Sequence, residues 1–174
     1  MIKVLNEYFI LETKNTSYIF KLIETGHLIH LYYGKKIDYD LDSLKSLEKE
    51  YSQVIGTNIY YDQDHKNINF EIMPQEISTF GKGDMRNPMI KILHSSGVTT
   101  SNFLYDKHEL VDSFEYDEMP SVKDDLKEGE VLVITLKDIE NKVTLKTIYT
   151  VFSDQNVITR KNIIKVKNNA NRFK

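Results

Sequence analysis

The chain has 174 residues, 40% hydrophobic and 28% charged, which suits one soluble globular domain of ordinary composition. Its net charge of −3, with scattered lysines and no basic stripe, excludes a protein held to nucleic acid or an anionic membrane by charge. Cysteine is absent, which excludes disulfides, thiolate metal sites and cysteine nucleophiles and fits a reducing compartment.

Met1 to Glu7 lacks a basic head followed by a long apolar core, so no signal peptide is expected. No apolar run approaches the roughly 20 residues needed to span a bilayer, and the expected location is the cytoplasm. Asn15-Thr16-Ser17 matches a glycosylation sequon but reads as the turn before a strand at Tyr18–Ile23, rich in β-branched and aromatic residues. Leu28–Tyr33 alternates, so Ile29, Leu31 and Tyr33 are expected on one face and His30 and Tyr32 on the other. His27 and His30, three apart in a strand, fall on opposite faces and cannot share a metal. Leu41, Leu44, Leu47 and Tyr51 repeat at helical spacing, with Asp42 or Ser43 available as N-cap.

Asp62-Gln63-Asp64-His65-Lys66 lacks the central Gly and distal Glu of a calcium loop and reads as a solvated turn. Gly81-Lys82-Gly83-Asp84-Met85-Arg86 is a glycine-hinged loop carrying three charges, without the P-loop pattern. Asp84 there either accepts hydroxyl hydrogen bonds from a sugar or pairs locally with Arg86 to fix the loop. Met89–Leu93 reads as a strand with Ile90 and Ile92 on one face. Glu115, Asp117 and Glu118, near Phe114 and Tyr116, read as an exposed acidic loop, with sugar binding as the alternative. Val131–Leu136 and Val143–Phe152, joined by turn residues Asp138 to Asn141, form the clearest hairpin. Val143, Leu145, Tyr149 and Val151 face one way, and Thr144, Lys146 and Thr150 the other. Val157–Val166 adds a third antiparallel strand. The closing residues, Asn168 to Lys174, stop at a turn as if a further strand followed.

The fold expected is mainly β: an antiparallel β-sandwich over residues 1–174, with at most one or two short helices. Trp is absent, against 11 Tyr and 8 Phe, so a free-standing carbohydrate-binding module would rest on Tyr platforms. No Ser/His/Asp set can be assembled, and no carboxylate pair stands out for acid–base work.

Several ordered segments carry a family likeness. They are Thr13 to Tyr18, His27 to Lys35, Glu76 to Arg86, Asn102 to His108, Met119-Pro120, Val143 to Phe152 and Asn156 to Arg160. In this order they resemble the amino-terminal region of the large, tetrameric, retaining bacterial α-galactosidases of glycoside hydrolase family 36. The segment Asp38 to His65 departs from the family's pattern. The resemblance implies part of a β-supersandwich ahead of a (β/α)8 barrel that carries the Asp nucleophile and Asp acid/base. No residue here matches those catalytic motifs. It further implies a non-catalytic piece, without cofactor or metal, that supports tetramer assembly and shapes the site of an enzyme acting on melibiose- or raffinose-type α-galactosides. Asp84 and Arg86 are the substrate-binding candidates it suggests. A stand-alone glycan-binding module or a structural interaction module are the alternatives.

Overall fold

A computed structural model describes residues 1–49, 60–84, 87–112 and 130–166. The first sheet is an antiparallel meander of β1 (Ile2–Leu5), β2 (Tyr8–Glu12), β3 (Thr16–Leu22) and β4 (Leu28–Lys35). A short helix, α1 (Leu41–Ser46), follows. Two-residue strands β5 (Thr79–Phe80) and β6 (Gly83–Asp84) pair in parallel. The second sheet is a meander of β7 (Leu104–Val111), β8 (Glu130–Asp138), β9 (Val143–Phe152) and β10 (Val157–Val166). The expected antiparallel sandwich is thus present, and β4 and β10 each form an edge of their sheet.

The sheets meet through one apolar layer. Phe9, Leu11, Phe20 and Leu28 from the first sheet pack with Leu132, Ile134, Leu136, Leu145 and Tyr149 from the second. Phe20 stacks on Phe9 at 5.0 Å within its own sheet and on Tyr149 at 5.3 Å across the interface. Each such buried side chain contributes about 1.5–3 kcal/mol relative to exposure. The far face of the first sheet is covered too: Tyr8, Ile10 and Ile19 pack against Leu44 of α1. That second cover explains why β2 is buried at every position. A strand buried on both faces shows no alternation, which hides it from a period-two reading.

The β8–β9–β10 meander and the facing of Val143, Leu145, Tyr149 and Val151 are as expected. Asp138 builds the hairpin turn: its Oδ1 accepts from the Asn141 backbone N–H at 3.0 Å, and Lys142 takes φ +56°. In the first sheet, Asn15 precedes β3 as a turn residue. Its backbone N–H donates to Asn156 Oδ1 at 2.9 Å, tying that turn to the β9–β10 turn.

Three expectations need correction. The alternation of Leu28–Tyr33 breaks at a bulge: Ile19 pairs with Tyr32 and Phe20 with His30, leaving Leu31 extra. Leu31 and Tyr32 therefore both pack on the outer cluster, while Tyr33 joins His30 against Tyr18 on the inner side. Met89–Leu93 forms a single parallel bridge, Thr79 to Ile90, and no ladder, although Ile90 and Ile92 do reach the core. The N-cap of α1 is Asp40: its side chain accepts from the Ser43 backbone N–H at 2.8 Å, and Ser43 Oγ accepts from the Asp40 backbone N–H.

Candidate functional site: the Glu76 hub and the Gly81–Asp84 turn

The stretch from Gln75 to Asp84 carries the charged groups of interest. At its start, Glu76 is 4% exposed. Its carboxylate collects donors from both sheets. Tyr18 of β3 donates to both oxygens at 2.7 and 2.8 Å, Tyr149 of β9 donates at 2.6 Å, and Arg160 of β10 donates through Nη1 at 2.8 Å. Arg160 also reaches the Glu76 backbone carbonyl at 3.3 Å. His30 Nδ1 stands 3.6 Å from Oε2, an electrostatic contact too long for a hydrogen bond.

Burial alone would raise the Glu76 pKa. The His30 ring, the Tyr149 and Tyr18 hydroxyls and the Arg160 charge outweigh it, and the carboxyl sits below its ordinary value. Glu76 is therefore an ionised, fully coordinated anchor, ill suited to proton transfer. Burial, then the Glu76 charge, hold both phenols in their neutral form. The hub ties the chain at Glu76 to both sheets at once. Sequence reading did not assemble it, because its members come from five separated stretches of chain. One signal was available: inward-facing Tyr149 carries a hydroxyl that a core position must satisfy.

Further along, the chain turns sharply at Gly81 (φ +82°) and Gly83 (φ +112°). The Gly83 conformation suits glycine alone on a second ground: a Cβ there would lie 2.0 Å from Gln75 Nε2 and 2.5 Å from Phe70 Cβ. Beneath the turn lies an aromatic bed. Phe70 and Tyr61 meet edge to face at 5.4 Å, and His27 contacts both. The Lys82 ammonium sits 4.6 Å from the Tyr61 ring centroid. A pocket of about 330 Å³ opens here, lined by Tyr60, Tyr61, Phe70, Glu71 and the turn itself.

Asp84 is half-buried, and its Oδ1 accepts from the Asn87 backbone N–H at 3.0 Å. Arg86, its expected partner, lies outside the described residues, as do Glu115, Asp117 and Glu118. His27 and His30 take separate partners: His27 Nε2 pairs with Asn102 Oδ1 at 2.9 Å and its Nδ1 with Thr25 Oγ1 at 2.9 Å. Asp62 caps a turn, its Oδ1 accepting from the backbone N–H groups of Asp64 and His65. Among the described residues no cluster of potential ligands is placed to hold a metal ion, and no helix is long and apolar enough to cross a membrane. Besides Glu76, the buried carboxylates described are Glu12 and Asp138. Glu12 is held by Lys3, Lys36 and the Tyr39 hydroxyl, and Asp138 by its turn and the Asn102 backbone N–H. Each is committed to holding structure together.

The architecture has known counterparts. The bifunctional α-galactosidase/sucrose kinase AgaSK of Mediterraneibacter gnavus is 30% identical over 161 residues, 92% of this chain but 17% of its own length. The α-galactosidase AgaA of Geobacillus stearothermophilus is 27% identical over 161 residues, 87% of this chain and 21% of its own. The solved galactosidase domain of AgaSK matches with a TM-score of 0.84 at 28% identity, covering 97% of this chain and 23% of that one. The family 36 α-galactosidase AgaB of Geobacillus stearothermophilus shares the fold, with a TM-score of 0.82 at 23% identity over 96% of this chain and 22% of its own. The chain thus spans about a fifth of the length of these relatives. A family model described as the glycosyl hydrolase family 36 N-terminal domain matches residues 26–172, and the chain belongs to that family.

Proposed function

We propose that residues 1–174 are a single, non-catalytic β-sandwich unit, part of a larger supersandwich, at the amino end of a retaining α-galactosidase. The parent enzyme hydrolyses terminal α-galactosides of the melibiose and raffinose type in the cytoplasm. Its catalytic barrel lies in the same polypeptide, and the intact enzyme assembles as a tetramer. The sandwich supports that assembly, and its Gly81–Asp84 turn, with Arg86, helps to shape the sugar site. The observation that carries this reading is the likeness to an α-galactosidase domain over 97% of this chain but 23% of that domain. The commitment of Glu12, Glu76 and Asp138 to structural bonds supports a role outside the chemistry, since a double displacement needs two free carboxylates about 5–5.5 Å apart.

Two assays test the proposal. The 174-residue chain alone is expected to release no galactose from melibiose. Substituted for the matching segment of AgaA from Geobacillus stearothermophilus, it is expected to restore a tetrameric enzyme with raffinose hydrolysis. Turnover by the isolated chain, or a chimera that is assembled yet inactive, overturns the proposal.

A further inference from the structure

A groove of about 510 Å³ opens beside the Glu76 hub, between the edge strands β4 and β10. Its walls combine one exposed ring with several polar donors. Tyr33 is 63% exposed, an unusual setting for a large aromatic. Its ring is braced by Tyr18, which meets it at 61° with centroids 5.6 Å apart. Arg160 lines the same groove and is 36% exposed. Both of its bonds to Glu76 run through Nη1, and the Tyr149 hydroxyl lies against the same guanidinium. Asn87 is exposed at the opposite wall, and the hydrogen bond it makes to Asp84 uses its backbone N–H, not its side-chain amide. His30 also lines the groove, but its Nδ1 is buried and turned toward Glu76 at 3.6 Å.

The charges decide which ligand fits. Glu76 stands 2.8 Å behind Arg160 and neutralises it. A phosphate or carboxylate entering the groove would gain little net attraction and would face the Glu76 charge. A neutral polyol meets no such opposition and can accept from the guanidinium fork. The braced Tyr33 face, in turn, suits the flat C–H face of a ring. A pyranose offers both surfaces. We propose that this groove binds a neutral saccharide, one ring stacked on Tyr33 and its hydroxyls held by Arg160 and Asn87.

This goes beyond the reading above and is tested apart from it, because binding by the chain alone does not depend on the parent's chemistry. The 174-residue chain is titrated with galactose and raffinose, and separately with galacturonate and inorganic phosphate, followed by ¹H–¹⁵N NMR. Saturable shifts with the neutral sugars are expected at Tyr33, the Asn87 side-chain amide and the Arg160 Nε–H. Tyr33→Ala is expected to weaken binding about tenfold, the loss of one ring contact, without lowering the thermal midpoint. Asn87→Ala, at an exposed position, probes the same groove if Tyr33→Ala does not fold. Absence of saturation with both neutral sugars, preference for the anions, or affinity unchanged in the groove variants overturns the proposal.

Discussion

Glu76 and Asp84 leave the same stretch of chain and end in opposite settings. Glu76 is buried, ionised and held by donors from both sheets, whereas Asp84 is half-buried on a two-glycine turn with a local backbone bond to Asn87. The hub depends on charge, because its carboxylate answers Arg160. The turn depends on shape, because Gly83 packs where no side chain fits and the bed beneath it is aromatic. The comparison teaches that a single segment can be held by a buried charge at one end and by backbone shape at the other.

Removing the fastening is the most direct way to break the comparison. Glu76→Ala leaves Arg160 without its counter-charge and two tyrosine hydroxyls without an acceptor. The expected loss is about 3–4 kcal/mol, near the lower end for a broken buried pair because Arg160 is partly solvated. Glu76→Gln keeps the shape and loses the charge, and about half that loss is expected. Urea unfolding measures both. A loss below about 1 kcal/mol for Glu76→Ala would mean that the hub decorates the sandwich and does not hold it.

The two ends also answer acid over different ranges. His27, under the turn, is pushed down to about 4 by burial and the nearby Lys82 charge, with Asn102 and Thr25 opposing the shift only in part. Its unfolded value is near 6.5. Between these values the unfolded chain holds the extra proton, so stability falls as pH drops from 6.5 toward 4. The total is up to about 3 kcal/mol, at about 1.4 kcal/mol per pH unit. Glu76 behaves differently. Its folded pKa lies below the unfolded 4.5, so its contribution is complete well above pH 4.5 and disappears as pH falls through the folded value. His27→Gln is expected to flatten the upper range only, and Glu76→Gln the lower range only. A chain whose stability is flat from pH 6.5 to 4.5 contradicts the assignment to His27.

The turn's dependence on shape is tested by Gly83→Ala. Its Cβ would displace the Gln75 amide, which donates to the Phe70 and Lys82 carbonyls at 3.3 and 3.2 Å. With the positive φ added, a loss of about 2–3 kcal/mol is expected. Gly97→Ala is the control: φ is +83°, but nothing lies within 4 Å of a Cβ there, so only the conformational cost of about 1 kcal/mol remains. Equal losses at the two positions would remove the packing argument.

The sequence was legible where one physical signal dominated. Val143 to Phe152 alternates because one sheet face meets the core, and Asp138 to Asn141 has the residues its turn needs. Legibility failed where two environments overlapped. Tyr8 to Glu12 is buried on both faces and shows no period, and Leu104 to Val111 is an edge strand interrupted by the polar run Asp106 to Glu109. The Leu31 bulge moved Tyr33 to the opposite face, and nothing local in Leu28 to Tyr33 announces it. The Gly81–Asp84 turn was visible from its glycines alone. The Glu76 hub was not, because its acceptor and donors are brought together only by long-range pairing of strands.

Asp84 gives the smallest expected effect and the finest discrimination. Asp84→Ala removes the acceptor for the Asn87 N–H, and about 1 kcal/mol of stability is expected to go with it. Asp84→Asn retains an oxygen for that bond and loses the charge, so a smaller fall in the thermal midpoint than for Asp84→Ala is expected. The chimera with AgaA separates a sugar contact from a loop brace. If Asp84 accepts hydroxyl hydrogen bonds, Asp84→Asn raises KM for raffinose severalfold, more than its change in midpoint accounts for. If Asp84 only fixes the turn, Asp84→Asn leaves KM unchanged, and Asp84→Ala moves KM and midpoint together. The second pattern would place Asp84 with Glu76 among the fastenings and remove the difference between the two ends.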